Sequence, residues 1–208
     1  MAKQKTVFYC QNCGTESAKW VGKCPSCNEW NTYVEEVVKK PSQQQGNFRP
    51  VVAEPILIQE VSPLKVNRLP TGLSELDRVL GGGIVPGSLI LLGGEPGIGK
   101  STLLLQMAIH LPKKILYVSG EESAEQIKLR AERIGIKTET CYLLAETSLD
   151  AVFANAEKLR PDLLVIDSIQ TLYTDRLDAT PGSVSQVKEC TAQLMKYAKQ
   201  THIPIFLV

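Results

Sequence analysis

From Leu89 onward the chain alternates short apolar runs with amphipathic stretches. The apolar runs Leu89–Leu92, Lys114–Ser119, Thr140–Ala145, Asp162–Asp167 and Ile203–Val208 have the length of buried strands. Between them the apolar positions fall at helical spacing. Leu103–Ile109 reads as a buried helix. Ala124, Ile127, Ala131 and Ile134 share one face of the next, and Leu149, Val152, Phe153, Ala156 and Leu159 one face of a third. Val187, Cys190, Thr191, Leu194, Met195 and Ala198 mark a last helix. Ser123 with Gln126 and Ser183 with Gln186 predict capping boxes, Ser148 predicts a cap, and Pro161 stops the helix before it. Continuous apolar strands alternating with helices predict the α/β class, with a parallel sheet covered by helices on both faces.

The first 35 residues lack this rhythm and carry four cysteines instead. Cys10-x-x-Cys13 and Cys24-x-x-Cys27 are two equal knuckles, with Gly14 just after one and Pro25 inside the other. Each knuckle puts two thiolates on one side of a tight turn, and two turns facing each other make a Cys₄ site for Zn²⁺. Four thiolates leave no open position, so the metal is expected to be structural. A pair of disulfides is the competing reading, against which stands the lack of a secretory signal. So short a segment needs the metal for its folding free energy. Lys3, Lys5, Lys19 and Lys23, with Tyr9, Trp20 and Trp30, suit contact with nucleic acid or a partner protein; alternatively the aromatic rings pack around the metal. Lys39–Asn47 has a linker's composition. The expected organisation is a zinc ribbon at 1–35, a linker at 36–62 and an α/β core at 63–208.

The join of the first core strand to its helix carries the sharpest chemistry. Gly94-Glu95-Pro96-Gly97-Ile98-Gly99-Lys100-Ser101 fits the P-loop pattern, in which glycines let successive amides face a phosphate chain at a helix N-terminus. Lys100 would reach the β- and γ-phosphates, the Ser101 hydroxyl would hold Mg²⁺, and Thr102 completes the nucleotide-contacting set. Asp167 ends an apolar strand at the same sheet edge and is expected to hold Mg²⁺ with Ser101. Hydrolysis needs a group that activates water. Glu121 and Glu122 both follow the Lys114–Ser119 strand; Glu121 is the preferred base, because Glu122 also reads as compensation of a helix dipole.

Composition narrows the setting without changing it. The 208 residues are 43% apolar and 22% charged with a net charge of +1, which predicts a globular chain without a global nucleic-acid-binding charge. No apolar stretch reaches membrane-spanning length, so cytoplasmic residence and no membrane partner are expected. His110 and His202, and Cys141 and Cys190, are read as structural.

Thr71-Gly72-Leu73-Ser74-Glu75-Leu76-Asp77, Gly81-Gly82-Gly83-Ile84, Pro86-Gly87-Ser88 and the P-loop together resemble the RecA-like class that includes KaiC and replicative helicases. The Cys₄ knuckles ahead of them, and Val118-Ser119-Gly120-Glu121-Glu122-Ser123, are similar to the bacterial DNA repair family called RadA or Sms. The resemblance implies a RecA-like ATPase core behind a zinc ribbon, with ATP and Mg²⁺ as cofactors and Glu121 as the catalytic glutamate. It also implies homo-hexameric rings on single-stranded and branched DNA, branch migration, and RecA recombinase as a partner. In such rings the loop between Asp167 and Ser183 faces the channel, where Arg176 would meet phosphate and Tyr173 stack on a base; the alternative is a solvated connection in which Arg176 pairs with Asp175 or Asp178. The family's Lys-Asn-Arg-Phe-Gly motif and Lon-protease-like domain do not occur in this sequence, so a partial chain is expected. The runner-up function is a KaiC-like ATPase acting on a protein through its ribbon, and a third is a nucleotide switch that does not hydrolyse.

Overall fold

The computed structural model describes residues 5–38, 57–60, 67–135 and 138–208. Most of the segment 36–62, including the Lys39–Asn47 run, lies outside the described residues, as does Lys3.

A small antiparallel sheet opens the chain, in the order β2-β1-β3, from β1 (Lys5–Cys10), β2 (Glu16–Ser17) and β3 (Tyr33–Val38). Cys10 pairs with Tyr33 across β1 and β3. The core then runs α1 (Ser74–Val79), β4 (Leu89–Leu91), α2 (Lys100–His110), β5 (Ile115–Ser119), α3 (Ala124–Ile134), β6 (Cys141–Ala145), α4 (Leu149–Leu159), β7 (Leu163–Asp167), a 3₁₀ turn at Ile169–Thr171, α5 (Val184–Thr201) and β8 (Ile205–Leu207). Its five strands are all parallel, in the order β4-β8-β7-β5-β6. This is the α/β class the alternation predicts, a RecA-like P-loop core behind a Cys₄ ribbon. No helix among the described residues is long and apolar enough to cross a membrane.

Side-chain alternation explains why strands with no polar face are tolerated. In β5, Leu116 and Val118 point to one side and Ile115 and Tyr117 to the other, and both sides are buried. The first side meets α4 and α5 through Val152, Ala156, Cys190 and Leu194. The second meets α2 and α3 through Leu104, Met107, Ala108 and Ile127. Phe153 of α4 and Tyr197 of α5 stack at 4.8 Å between ring centres.

The caps follow the sequence with one correction. Ser123 and Gln126 form the reciprocal box, and Ser148 accepts from the Ala151 amide. Ser183 accepts from the Gln186 amide, but the Gln186 side chain does not return to it. That side chain is buried and faces the loop before α5. Its Oε1 accepts from Thr174 N at 3.0 Å, and its Nε2 donates to the carbonyls of Thr174, Leu177 and Ala179 at 3.2, 3.4 and 3.0 Å. An amide nitrogen has two hydrogens for those three carbonyls, so one bond is shared. The polar loop is therefore stapled to α5 from beneath.

Candidate nucleotide site and metal centre

Parallel register brings the separate nucleotide motifs to one edge. Ser119 is opposite Asp167, so the chain leaves β5 and β7 side by side. Ser168, whose peptide with Asp167 is cis, then donates from Oγ to Glu121 Oε1 at 2.7 Å. Gly120 makes the approach possible, because a Cβ there would overlap Thr171 Oγ1.

Gly99 takes the left-handed position before α2, with φ 100°. Lys100 Nζ donates back across the loop to the carbonyls of Gly94 and Glu95, both at 2.9 Å. Ser101 Oγ donates to Asp167 Oδ1 at 2.9 Å. Lys100, Ser101, Glu121 and Asp167 line one cleft of about 940 Å³ with Gly93, Gly94, Pro96 and Gly97. Gln170, Gly182 and Lys188 line it as well. Glu95, Ile98, Gly99 and Thr102 are not among its lining residues, although all but Thr102 belong to the same loop. A hydroxyl beside a carboxylate, at a turn with the P-loop sequence, is a hard-oxygen donor set that fits Mg²⁺.

Asp167 is held from behind as well. The Tyr117 hydroxyl donates to Asp167 Oδ2 at 2.6 Å. Burial, then the charge of Asp167, pushes the Tyr117 phenol far above its ordinary pKa, so it stays a donor. Glu122 is no simple dipole partner. Its two carboxylate oxygens face Arg130 of α3, with Arg130 Nη1 donating to Oε1 at 3.0 Å and Nη2 lying 2.9 Å from Oε2. Tyr117 and Arg130 escaped the sequence reading, since one sits in an apolar run and the other on an amphipathic helix.

The four knuckle cysteines converge as their spacing requires. Their sulfurs all lie within 4.8 Å of one another, with Cys10–Cys27 at 3.6 Å and Cys13–Cys24 at 3.5 Å. Tetrahedral Zn²⁺ with sulfur at ~2.3 Å needs sulfurs about 3.8 Å apart, so the cluster fits. The knuckles repeat each other: Gly14 N donates to Cys10 O and Asn28 N to Cys24 O, each residue having positive φ. Asn28, rather than Pro25, is the second counterpart of Gly14. Hydroxyls complete the setting, with Thr15 Oγ1 3.1 Å from Cys13 Sγ and Thr32 Oγ1 3.1 Å from Cys10 Sγ. The Thr15 hydroxyl and amide lower the Cys13 thiol. At Cys27 the Glu29 amide works the same way, but burial and the Cys24 and Cys10 sulfurs prevail and raise it to about 11.

Trp20 and Trp30 do not pack around this centre. They are 56% and 67% exposed, while Tyr33 lies buried with its hydroxyl 3.8 Å from Cys24 Sγ. Lys188, on α5 and among the residues lining the cleft, donates to the Gly14 carbonyl at 3.1 Å. The loop carrying Tyr173 is pinned at that residue by Thr147 O and Leu149 N, and Arg176 beyond it is exposed.

Comparison with known proteins agrees with both halves. A family described as an AAA domain matches residues 54–208, and one described as a rubredoxin metal binding domain matches residues 8–35. The DNA repair protein RadA of Bacillus subtilis (strain 168) is 50% identical over all of this chain and 47% of its own length. The protein of the same name from Listeria monocytogenes is 51% identical over all of this chain and 46% of its own. The chain thus spans about half the length of the curated relatives it matches.

Proposed function

We propose that this chain, which belongs to the AAA-domain family, binds ATP with Mg²⁺ at the cleft beneath Gly94–Ser101 and hydrolyses it in the service of DNA repair. One observation carries the reading: the Ser101–Asp167 hydrogen bond lies in the same cleft as Lys100 and Glu121. Gly94 to Thr102 supply amides and a helix N-terminus for the phosphates. Lys100 exchanges its two carbonyl partners for β- and γ-phosphate oxygens. Ser101 and Asp167 would hold Mg²⁺, and the ion when bound would supply neutralisation of phosphate charge. Glu121 orients the attacking water and accepts its proton, and Ser168 fixes the carboxylate that does so.

The organisation we infer is a zinc ribbon at 1–35 held by Cys10, Cys13, Cys24 and Cys27, with its strand β3 running on to Val38, a linker within 36–62, and an ATPase core at 63–208. The names of the relatives, and the resemblance to RecA-like rings, support a DNA-stimulated motor. On this reading it works as a cytoplasmic homo-hexamer that promotes branch migration on single-stranded and branched DNA beside RecA recombinase. Tyr173 and Arg176 are its candidate DNA contacts.

The test is phosphate release by the complete protein with no DNA, single-stranded DNA or branched DNA. Turnover that rises with DNA and collapses in Glu121→Gln supports the reading. DNA-independent turnover returns the function to a protein-directed ATPase, and turnover untouched by Glu121→Gln removes Glu121 from the chemistry.

A further inference from the structure

The ion pair behind Asp167 has no part in the chemistry above, yet it reaches the magnesium ligand. Arg130 Nη2 lies 3.9 Å from Asp167 Oδ2 while the same guanidinium faces Glu122. The side chains of Arg130 and Asp167 are 22% and 10% accessible, and that of Glu122, at the outer end, is 38%. Arg130 Nε and Nη2, and Glu122 Oε2, are buried without a well-directed hydrogen bond. A half-buried guanidinium paired with one carboxylate and 3.9 Å from a second is poised between two partners.

We propose that Arg130 is the resident counter-ion of Asp167, and that Glu122 restrains it so that Mg²⁺ can take its place. This rests on the reading of Asp167 as a magnesium ligand. Without the divalent cation, Asp167 and Glu122 place two carboxylates around one guanidinium, which offsets half of their charge. When the cation arrives at Asp167, a second positive charge stands close to Arg130. Glu122 then holds the guanidinium back. A movement of about 1 Å toward Asp167 would instead bring it into charge-assisted hydrogen-bond range, where it competes with the metal. Glu122 and Arg130 are thus positioning residues that set the magnesium requirement.

The two partners therefore have opposite effects. Glu122→Gln frees Arg130 toward Asp167 and should raise the Mg²⁺ needed for nucleotide binding by roughly tenfold, given the strength of partly buried charge pairs. Arg130→Gln removes the competitor and should lower that requirement or leave it unchanged. The double variant should follow Arg130→Gln, because Glu122 acts only through Arg130.

The experiment titrates Mg²⁺ into the complete protein with a fluorescent methylanthraniloyl-ADP and reads half-saturation, without any need for turnover. Shifts of opposite sign, or a rise confined to the Glu122→Gln single variant, support the proposal. A parallel rise in both single variants, or no change in Glu122→Gln, overturns it as a merely structural pair. If Glu122→Gln does not fold, Arg130→Gln and the double variant decide. A magnesium requirement at or below the parent's supports the proposal, and one above it overturns it. Nucleotide binding indifferent to Mg²⁺ in the parent would remove the magnesium reading itself. Failure among the variants alone leaves that reading standing.

Discussion

Tyr117 and Asp167 meet at 2.6 Å between neighbouring parallel strands, with the phenol donating to the carboxylate oxygen that Ser101 does not use. The carboxylate is thereby fixed from two sides. Tyr117→Phe keeps the ring and its packing but leaves a buried acceptor short of a donor. It should cost about 1–3 kcal/mol, read as a lower urea midpoint at unchanged slope. An unaltered midpoint would mean that the phenol contributes no net stability there.

Lys100→Ala removes the cation of the P-loop. Turnover should fall by roughly 10²-fold or more, in line with the loss of one preorganised charge at a transition state. Glu121→Gln should lose turnover over a similar range while still binding nucleotide, because it touches water rather than phosphate. Parent-level phosphate release by Lys100→Ala would refute the assignment of this cleft to ATP.

Cys24→Ser breaks the Cys₄ set. Zinc measured by atomic emission should drop from about one per chain to near zero, and the circular dichroism of the core should persist. Unchanged zinc content would refute the metal assignment.

The same centre predicts a pH dependence. Zinc binds the thiolate, so the Cys27 thiol, raised to about 11 by burial and its neighbouring sulfurs, gives up its proton when the metal loads at neutral pH. Affinity should weaken as pH falls, by about tenfold per pH unit for each proton displaced. A competitive chelator titration between pH 6 and 8 measures the slope, and a flat result would place the proton elsewhere.

What was legible in the chain had a local signature. The P-loop, the cysteine knuckles and the strand ending at Asp167 each announce themselves within a few residues. The parallel sheet follows from apolar runs too short for helices. What escaped depended on contacts across strands and loops. Tyr117 sits in an apolar run and reads as core, and only the register of β5 on β7 reveals its hydroxyl as an orienting group. Glu122 looks like any acidic residue before a helix, and its partner lies eight residues on. Gln186 has the spacing of a capping box, and the same spacing equally serves a side chain turned toward an earlier loop.

Gln186→Leu keeps much of the volume and removes every bond of the staple. It should cost about 2–4 kcal/mol, since several buried main-chain groups lose partners together. Trypsin should then cut after the exposed Arg176 faster than in the parent. Unaltered stability and cleavage would show that the loop holds itself.

All four bonds of that staple go to main-chain atoms of Thr174, Leu177 and Ala179. The loop's path is thus written in its backbone, and the letters at Asp175 and Arg176 are free to change without redrawing it. Libraries at those two positions can retune what the loop touches while the scaffold stays put. A single buried amide in this way separates the evolution of recognition from the evolution of shape.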